Sequence, residues 1–145
     1  MSKLFDLQNK NVLLTGASKG MGLAMAQGLV NHGANVVISS RKLDQCQKAV
    51  ESMNEFIGQE KAFAFSCNAS SKDELNALVD FSKSKLGSIT TLVCNAGVNS
   101  FFGSMSEIDD ESYDKTMNTN VKSNHWLINM VSPLIEKSGG GSIMI

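Results

Sequence analysis

Short apolar runs alternate with longer amphipathic stretches along almost the whole chain, and no other feature restricts the fold as much. Residues 11–15, 34–39, 62–67 and 90–94 are apolar runs of strand length, with Val36, Val37 and Ile38 at the centre of the second. Between them, residues 20–32, 43–56 and 71–86 have helical length and spacing. The first of these sets Met21, Ala24, Met25, Gly28 and Leu29 on one face. Gly33 and Gly58 end the first two helices, and His32 stands at the negative end of the first. Ser71, followed by Glu74, predicts a capping box on the third. A loop at 95–106 leads into one long predicted helix, 109–136, with Pro133 near its end. Gly139, Gly140 and Gly141 then turn the chain into a fifth strand, 142–145. Alternation of this kind predicts an α/β fold, a doubly wound parallel sheet with helices on both faces. The apolar end Ser142-Ile143-Met144-Ile145 leaves strand backbone uncapped. The expectation is therefore one domain, residues 1–145, incomplete at the C-terminus and truncated in the fifth strand.

The 145 residues suit a single domain with a substantial core. A formal net charge of −1 offers nothing to nucleic acid or an anionic membrane. No apolar run has the length of a membrane helix, and Met1 to Lys10 lack the basic-then-apolar order of a signal peptide. The expectation is a cytoplasmic protein with neither nucleic acid nor membrane as partner. Cys46, Cys67 and Cys94 form no Cys-x-x-Cys pair and lie in apolar-patterned segments, so they read as small buried hydrophobes. His32 and His125 have no partner at metal-ligand spacing, and no metal is expected. The acidic cluster Asp109, Asp110, Glu111 and Asp114 opens a helix, where negative charge suits the dipole.

One turn carries chemistry. Thr15-Gly16-Ala17-Ser18-Lys19-Gly20-Met21-Gly22 joins the first strand to the first helix. Gly16 permits a tight turn, Gly20 lets backbone approach a pyrophosphate, and Gly22 lets the helix pack close to the sheet. The helix N-terminus then presents free N–H groups and the positive end of its dipole to the anion. The spacing is neither the common G-x-G-x-x-G nor a Walker A loop. Its place between strand and helix makes it a nucleotide-binding turn.

The Thr-Gly-x-x-x-Gly-x-Gly spacing resembles the short-chain dehydrogenase/reductase family, in its single-domain, Rossmann-like branch. Asn95-Ala96-Gly97 directly after the fourth strand, and Asn120 within Thr119-Asn120-Val121-Lys122, extend the resemblance, which covers the chain from about Leu4. It implies that Gly16, Ser18, Lys19, Gly20, Met21 and Gly22 hold an NAD(P) cofactor. It implies also that Asn95, Ala96 and Gly97 lie against the cofactor, although Cys94 stands where the family more often has another Asn. Asn120 matches the helix asparagine that joins a proton relay with Ser, Tyr and Lys. Asn is a poor mid-helix residue, and Met117-Asn118-Thr119-Asn120-Val121 suggests a local irregularity or a functional constraint. Asn118 and Asn124 read as plain solvated positions. The family's catalytic Ser and Tyr-x-x-x-Lys would follow the fifth strand. The only tyrosine in this sequence, Tyr113, has Met117 four residues on and is no substitute.

The second strand ends Ile38-Ser39-Ser40-Arg41 with no acid to hold a ribose 2′-OH, and Asp44 comes too late. Arg41 can clamp a 2′-phosphate, Ser40 can donate to it, and Lys19 adds charge on the same side. NADP(H) is therefore favoured over NAD(H). Asn68 stands where relatives place an Asp toward the adenine. The resemblance implies an oxidoreductase that moves hydride between NADP(H) and a small-molecule carbonyl or alcohol, and an inactive fragment if the chain is taken alone. A non-catalytic nucleotide-binding or regulatory module on the same fold is the alternative. Two aromatic residues, Phe101 and Phe102, either line the cleft or pack under their loop. The implied strand order is third, second, first, fourth, fifth. The full-length protein is expected to be a homo-oligomer, tetramer or dimer. The long helix would contribute to its interface, leaving Trp126, Leu127, Met130 and Val131 partly uncovered in the fragment.

Overall fold

A computed structural model describes residues 3–145, so Met1 and Ser2 of the expected domain lie outside the described residues. Five parallel strands run in the order β3-β2-β1-β4-β5. They are β1 (Asn11–Thr15), β2 (Asn35–Ser40), β3 (Ala62–Ser66), β4 (Thr91–Val93) and β5 (Ser142–Met144). The helices are α1 (Gly20–Asn31), α2 (Leu43–Ile57), α3 (Lys72–Leu86), α4 (Asp110–Met117) and α5 (Ser123–Lys137). Strand and helix boundaries fall within about two residues of those read from the sequence, and the strand order is the one expected. Two single 3-10 turns, Lys3–Phe5 and Met105–Glu107, carry no sequence periodicity and went unread.

Central strands of a doubly wound sheet are buried on both faces, which is why β1 is apolar at consecutive positions. Val12, Leu13 and Leu14 are at most 1% exposed. Val12 and Leu14 face α1 and α2 with Val36, Ile38 and Ala26, whereas Leu13 faces α3 and α5 with Val37, Leu92 and Leu127. Each large side chain buried in this way contributes about 1.5–3 kcal/mol. All three cysteines are buried in these two cores as free thiols, as expected.

Four expectations need correction. The buried stripe of α1 is Gly22, Ala26 and Val30, one helical turn apart, while Met21 is 81% exposed and Ala24 is exposed as well. Small residues at Gly22 and Ala26 face the sheet because the helix approaches it closely there. Ser71 Oγ does accept from Glu74 N, but the Glu74 carboxylate accepts from Asn68 N instead of completing the capping box. Leu127 and Val131 are fully buried against the sheet, and only Trp126 and Met130 are half-covered. The long helix is not uniform: α4 and α5 are joined by a wide π-type turn, Asn118–Lys122, in which Ser123 N donates to Asn118 O five residues back. The irregularity suggested by the Asn-rich run is real, and it is of this kind.

Among the described residues, no helix is long and apolar enough to cross a membrane, and no group of three His, Cys, Asp or Glu could hold a metal ion.

Candidate cofactor cleft

In such a sheet the chain turns to opposite sides after β1 and β4, opening a crevice at their carboxyl ends. The β1–α1 loop turns there through Gly16 at φ 69° and Gly20 at φ 58°, conformations that L side chains resist. A Cβ on Gly16 would lie 2.7 Å from Ala96 Cα, and one on Gly22 would lie 2.5 Å from Asn95 Nδ2. The glycines therefore seat the loop directly on the turn that follows β4. Asn95 Nδ2 donates to Thr15 O at 3.1 Å and Gly16 O at 2.8 Å. Thr15 Oγ1 accepts from Asn95 N at 3.2 Å and Ala96 N at 3.1 Å. The two loops are thus stapled across the crevice. No side chain caps α1, whereas Ser71 caps α3 and Asp109 caps α4. The first-turn N–H groups of α1 remain available to an anion.

A cleft of about 850 Å³ opens at this end of the sheet. It gathers Gly16, Ser18, Lys19, Ser40, Arg41, Asn68, Asn95, Ala96 and Gly97, all read from the sequence. Gly20, Met21, Gly22 and Asn120 stand outside its lining. Thr15, which opens the glycine motif, lines it too, and Gln45, Ser70, Lys42, Lys115 and Thr119 line it without having been read as site residues. Lys42 is adjacent to Arg41 and could have been found. Lys115 and Thr119, one helical turn apart, reach the cleft from the far side only through the tertiary fold. Lys19, Arg41, Lys42 and Lys115 put four cations around the cleft, and among the described residues no carboxylate lines it. Ser40 Oγ accepts from Lys42 N at 3.1 Å. Asn68 Oδ1 accepts from Ser70 N at 3.1 Å, which leaves the amide N–H groups to face a ligand.

Asn120 lies behind the cleft wall. Its Oδ1 accepts from Val98 N and its Nδ2 donates to Val98 O, both at 2.8 Å, so it clasps the backbone of one residue of the loop beyond Gly97 from both sides. Asn120 lies within the π-type turn, which is pinned from two sides. Asn124 Nδ2 donates to Asn120 O at 2.9 Å, and Thr119 Oγ1 meets Ser70 Oγ at 2.7 Å. Asn124 is therefore buried and bonded, contrary to the expectation of a solvated position, while Asn118 is exposed as expected. Phe102 is 98% exposed and Phe101 is half-buried, and neither lines the cleft. Tyr113 sits half-exposed on α4.

Burial pushes the Cys67 thiol up to about 12, with the Glu74 charge adding to it, and the Cys94 thiol up to about 11. Burial likewise raises Cys46. None of the three provides a thiolate nucleophile near neutral pH. Asp109 is held below the usual carboxylate range by the Ser112 N–H it caps at 2.7 Å, in keeping with a structural role for the acidic cluster.

Residues 10–145 match the family described as short chain dehydrogenase. A Caenorhabditis elegans protein named dehydrogenase/reductase SDR family member 4 is 38% identical over 137 residues, covering 94% of this chain and 52% of its own. The Homo sapiens protein of the same name is 36% identical and matches 100% of this chain with 51% of its own. Among solved structures, L-sorbose reductase from Gluconobacter frateurii, complexed with NADPH and L-sorbose, superposes with a TM-score of 0.89 at 27% identity. That match covers 96% of this chain and 52% of the other. Hydroxysteroid dehydrogenase from Escherichia coli gives 0.87 at 32% identity, over 99% of this chain and 57% of the other. The chain spans about half the length of the curated relatives it matches.

Proposed function

The chain belongs to the short chain dehydrogenase family of oxidoreductases, and on that premise we propose that the full-length protein moves hydride between NADP(H) and a carbonyl or alcohol carbon of a small molecule. The observation that carries the choice of cofactor is the cleft's charge: four cations around it and no carboxylate at the end of β2 to hold a ribose 2′-OH. The NADPH in the L-sorbose reductase complex is consistent with this reading.

When bound, the nicotinamide cofactor supplies or accepts the hydride. This chain's own residues hold and orient it. The loop from Gly16 to Gly22, with Ser18, Lys19, Gly20 and Met21 between, brings backbone N–H groups to the pyrophosphate at the start of α1. Ser40 and Arg41, with Lys19 adding charge on the same side, take the 2′-phosphate, and Asn68 offers its amide to the adenine. Asn95, Ala96 and Gly97 form the wall the cofactor lies against. Asn120 serves the proton relay from its clasp on Val98, holding that wall in place. These 145 residues contain no Tyr-x-x-x-Lys, so no side chain here exchanges a proton with the substrate oxygen. Residues 1–145 alone are accordingly inactive. The full-length protein is read as a cytoplasmic homo-oligomer.

Steady-state kinetics of the full-length protein test the assignment. NADPH gives the higher kcat/KM, and Arg41→Asp reverses the order by removing a phosphate partner and adding repulsion. Equal kcat/KM for the two cofactors in the unaltered protein overturns the cofactor choice. No turnover with either cofactor across a carbonyl and alcohol panel favours the non-catalytic module instead.

A further inference from the structure

The hydroxyl of Ser40 is more constrained than a serine at a strand end needs to be. A serine hydroxyl has one proton to donate and two acceptor sites. Lys42 N donates to Ser40 Oγ at 3.1 Å, and the Cys46 thiol donates to it at 3.2 Å. Both acceptor sites are therefore occupied from within the protein. The remaining valence is the O–H itself, which reaches Lys42 O at 3.2 Å in an exposed position beside the cleft. A neutral carbonyl at that distance is a weaker acceptor than a phosphate oxygen, and an anion entering between Ser40 and Arg41 would displace it.

Cys46 is 0% exposed on the first turn of α2 after Leu43, packed in the core beneath this corner of the cleft. Burial keeps the thiol protonated, so it acts as a donor to the hydroxyl. An apolar residue would fill the same space without holding the serine.

We propose that Cys46 is a positioning residue for cofactor choice: its buried thiol occupies the second acceptor site of Ser40 Oγ, so the Ser40 hydroxyl is presented to the cleft as a donor for a 2′-phosphate. The proposal rests on the NADP(H) reading. It separates two kinds of contribution at the β2 end. Arg41 brings charge and Ser40 brings a directed hydrogen bond, and only the second depends on Cys46.

The test uses the full-length protein and two probes that differ only in the 2′-phosphate, 2′,5′-ADP and 5′-ADP, with affinities measured by calorimetry. In the unaltered protein 2′,5′-ADP binds more tightly. Cys46→Ala weakens 2′,5′-ADP by about three- to tenfold, the size of one directed hydrogen bond, and leaves 5′-ADP where it was. Cys46→Ser, which keeps a donor at the same place, restores most of the difference. In a Ser40→Ala background the Cys46→Ala change has no further effect, because there is no hydroxyl left to orient. If the unaltered protein prefers 2′,5′-ADP but Cys46→Ala lowers both affinities equally, or neither, the role of Cys46 is overturned while the cofactor reading stands. If the unaltered protein binds the two probes equally, the cofactor reading falls and takes this role with it.

Discussion

At the scale of single residues, the site depends on contacts between positions far apart in sequence. Asn120 satisfies both the N–H and the C=O of Val98. Asn120→Ala would leave both groups without that partner in a half-buried setting, at a cost of about 1–3 kcal/mol. Thermal unfolding of the full-length protein should report that loss, and kcat should fall with it because the wall beyond Gly97 loses its anchor. Unchanged stability together with unchanged kcat would show that the clasp is dispensable. Sequence reasoning found Asn120 through the resemblance and through its poor helix propensity, but it could not identify Val98 as the partner. The glycines divide in the same way. Gly16 and Gly22 were legible as turn and packing residues, yet their actual neighbours, Ala96 and Asn95, come from the turn after β4, the strand next to β1. Spacing along a chain carries no information about which loop lies across a crevice. Lys115 was missed for that reason, whereas Arg41 was found because the strand end it follows is a local feature.

At the scale of elements, the sequence was most readable where one period dominated. The strands and α1, α2 and α3 follow directly from apolar runs and helical spacing, and their boundaries moved by about two residues. The α4–α5 stretch resisted because a π-type turn lengthens the hydrogen-bonding step without changing the composition. The exposed Met21 has a similar cause: a Gly22, Ala26, Val30 stripe is weakly hydrophobic, and close approach to the sheet matters more there than side-chain size. The ends of β3 and β4 carry a prediction of their own. Cys67 and Cys94 follow these strands as buried thiols raised to about 12 and about 11. Above the ordinary thiol range, near pH 8.5, the unfolded chain releases protons that the native state retains. The stability their burial contributes is thus fully present at neutral pH and is lost as pH rises toward 11–12. Urea unfolding of the full-length protein at pH 8 and pH 10 should show a larger loss in the unaltered protein than in Cys67→Ala. Equal losses would mean that the thiol does not titrate differently in the two states.

At the scale of the whole molecule, the two edges of the sheet differ in how they are protected. On the β3 side, α2 packs against the strand, and Lys85 lies over the Phe63 ring at 5.6 Å. On the β5 side, the strand pairs among the described residues with β4 alone, and Ile143, Met144 and Ile145 are 39%, 56% and 77% exposed. No charge or proline interrupts residues 142–145. An open apolar edge is a template for pairing with another chain. On the α5 face, Trp126 and Met130 are half-covered, whereas Leu127 and Val131 are buried within these residues. Each large side chain left uncovered is a liability of about 1.5–3 kcal/mol. Residues 1–145 expressed alone should therefore self-associate, while the full-length protein runs as a discrete soluble oligomer. Size-exclusion chromatography with light scattering compares the two. Ile143→Lys in the 145-residue chain places a charge on the edge and should shift the population toward monomer, because edge pairing is what it blocks. If association persists unchanged in Ile143→Lys, the contact lies elsewhere, on the α5 face. A sharp monomer peak for the unaltered 145 residues, with cooperative thermal unfolding, would show that the β5 edge is no liability and that the five-stranded unit is self-sufficient.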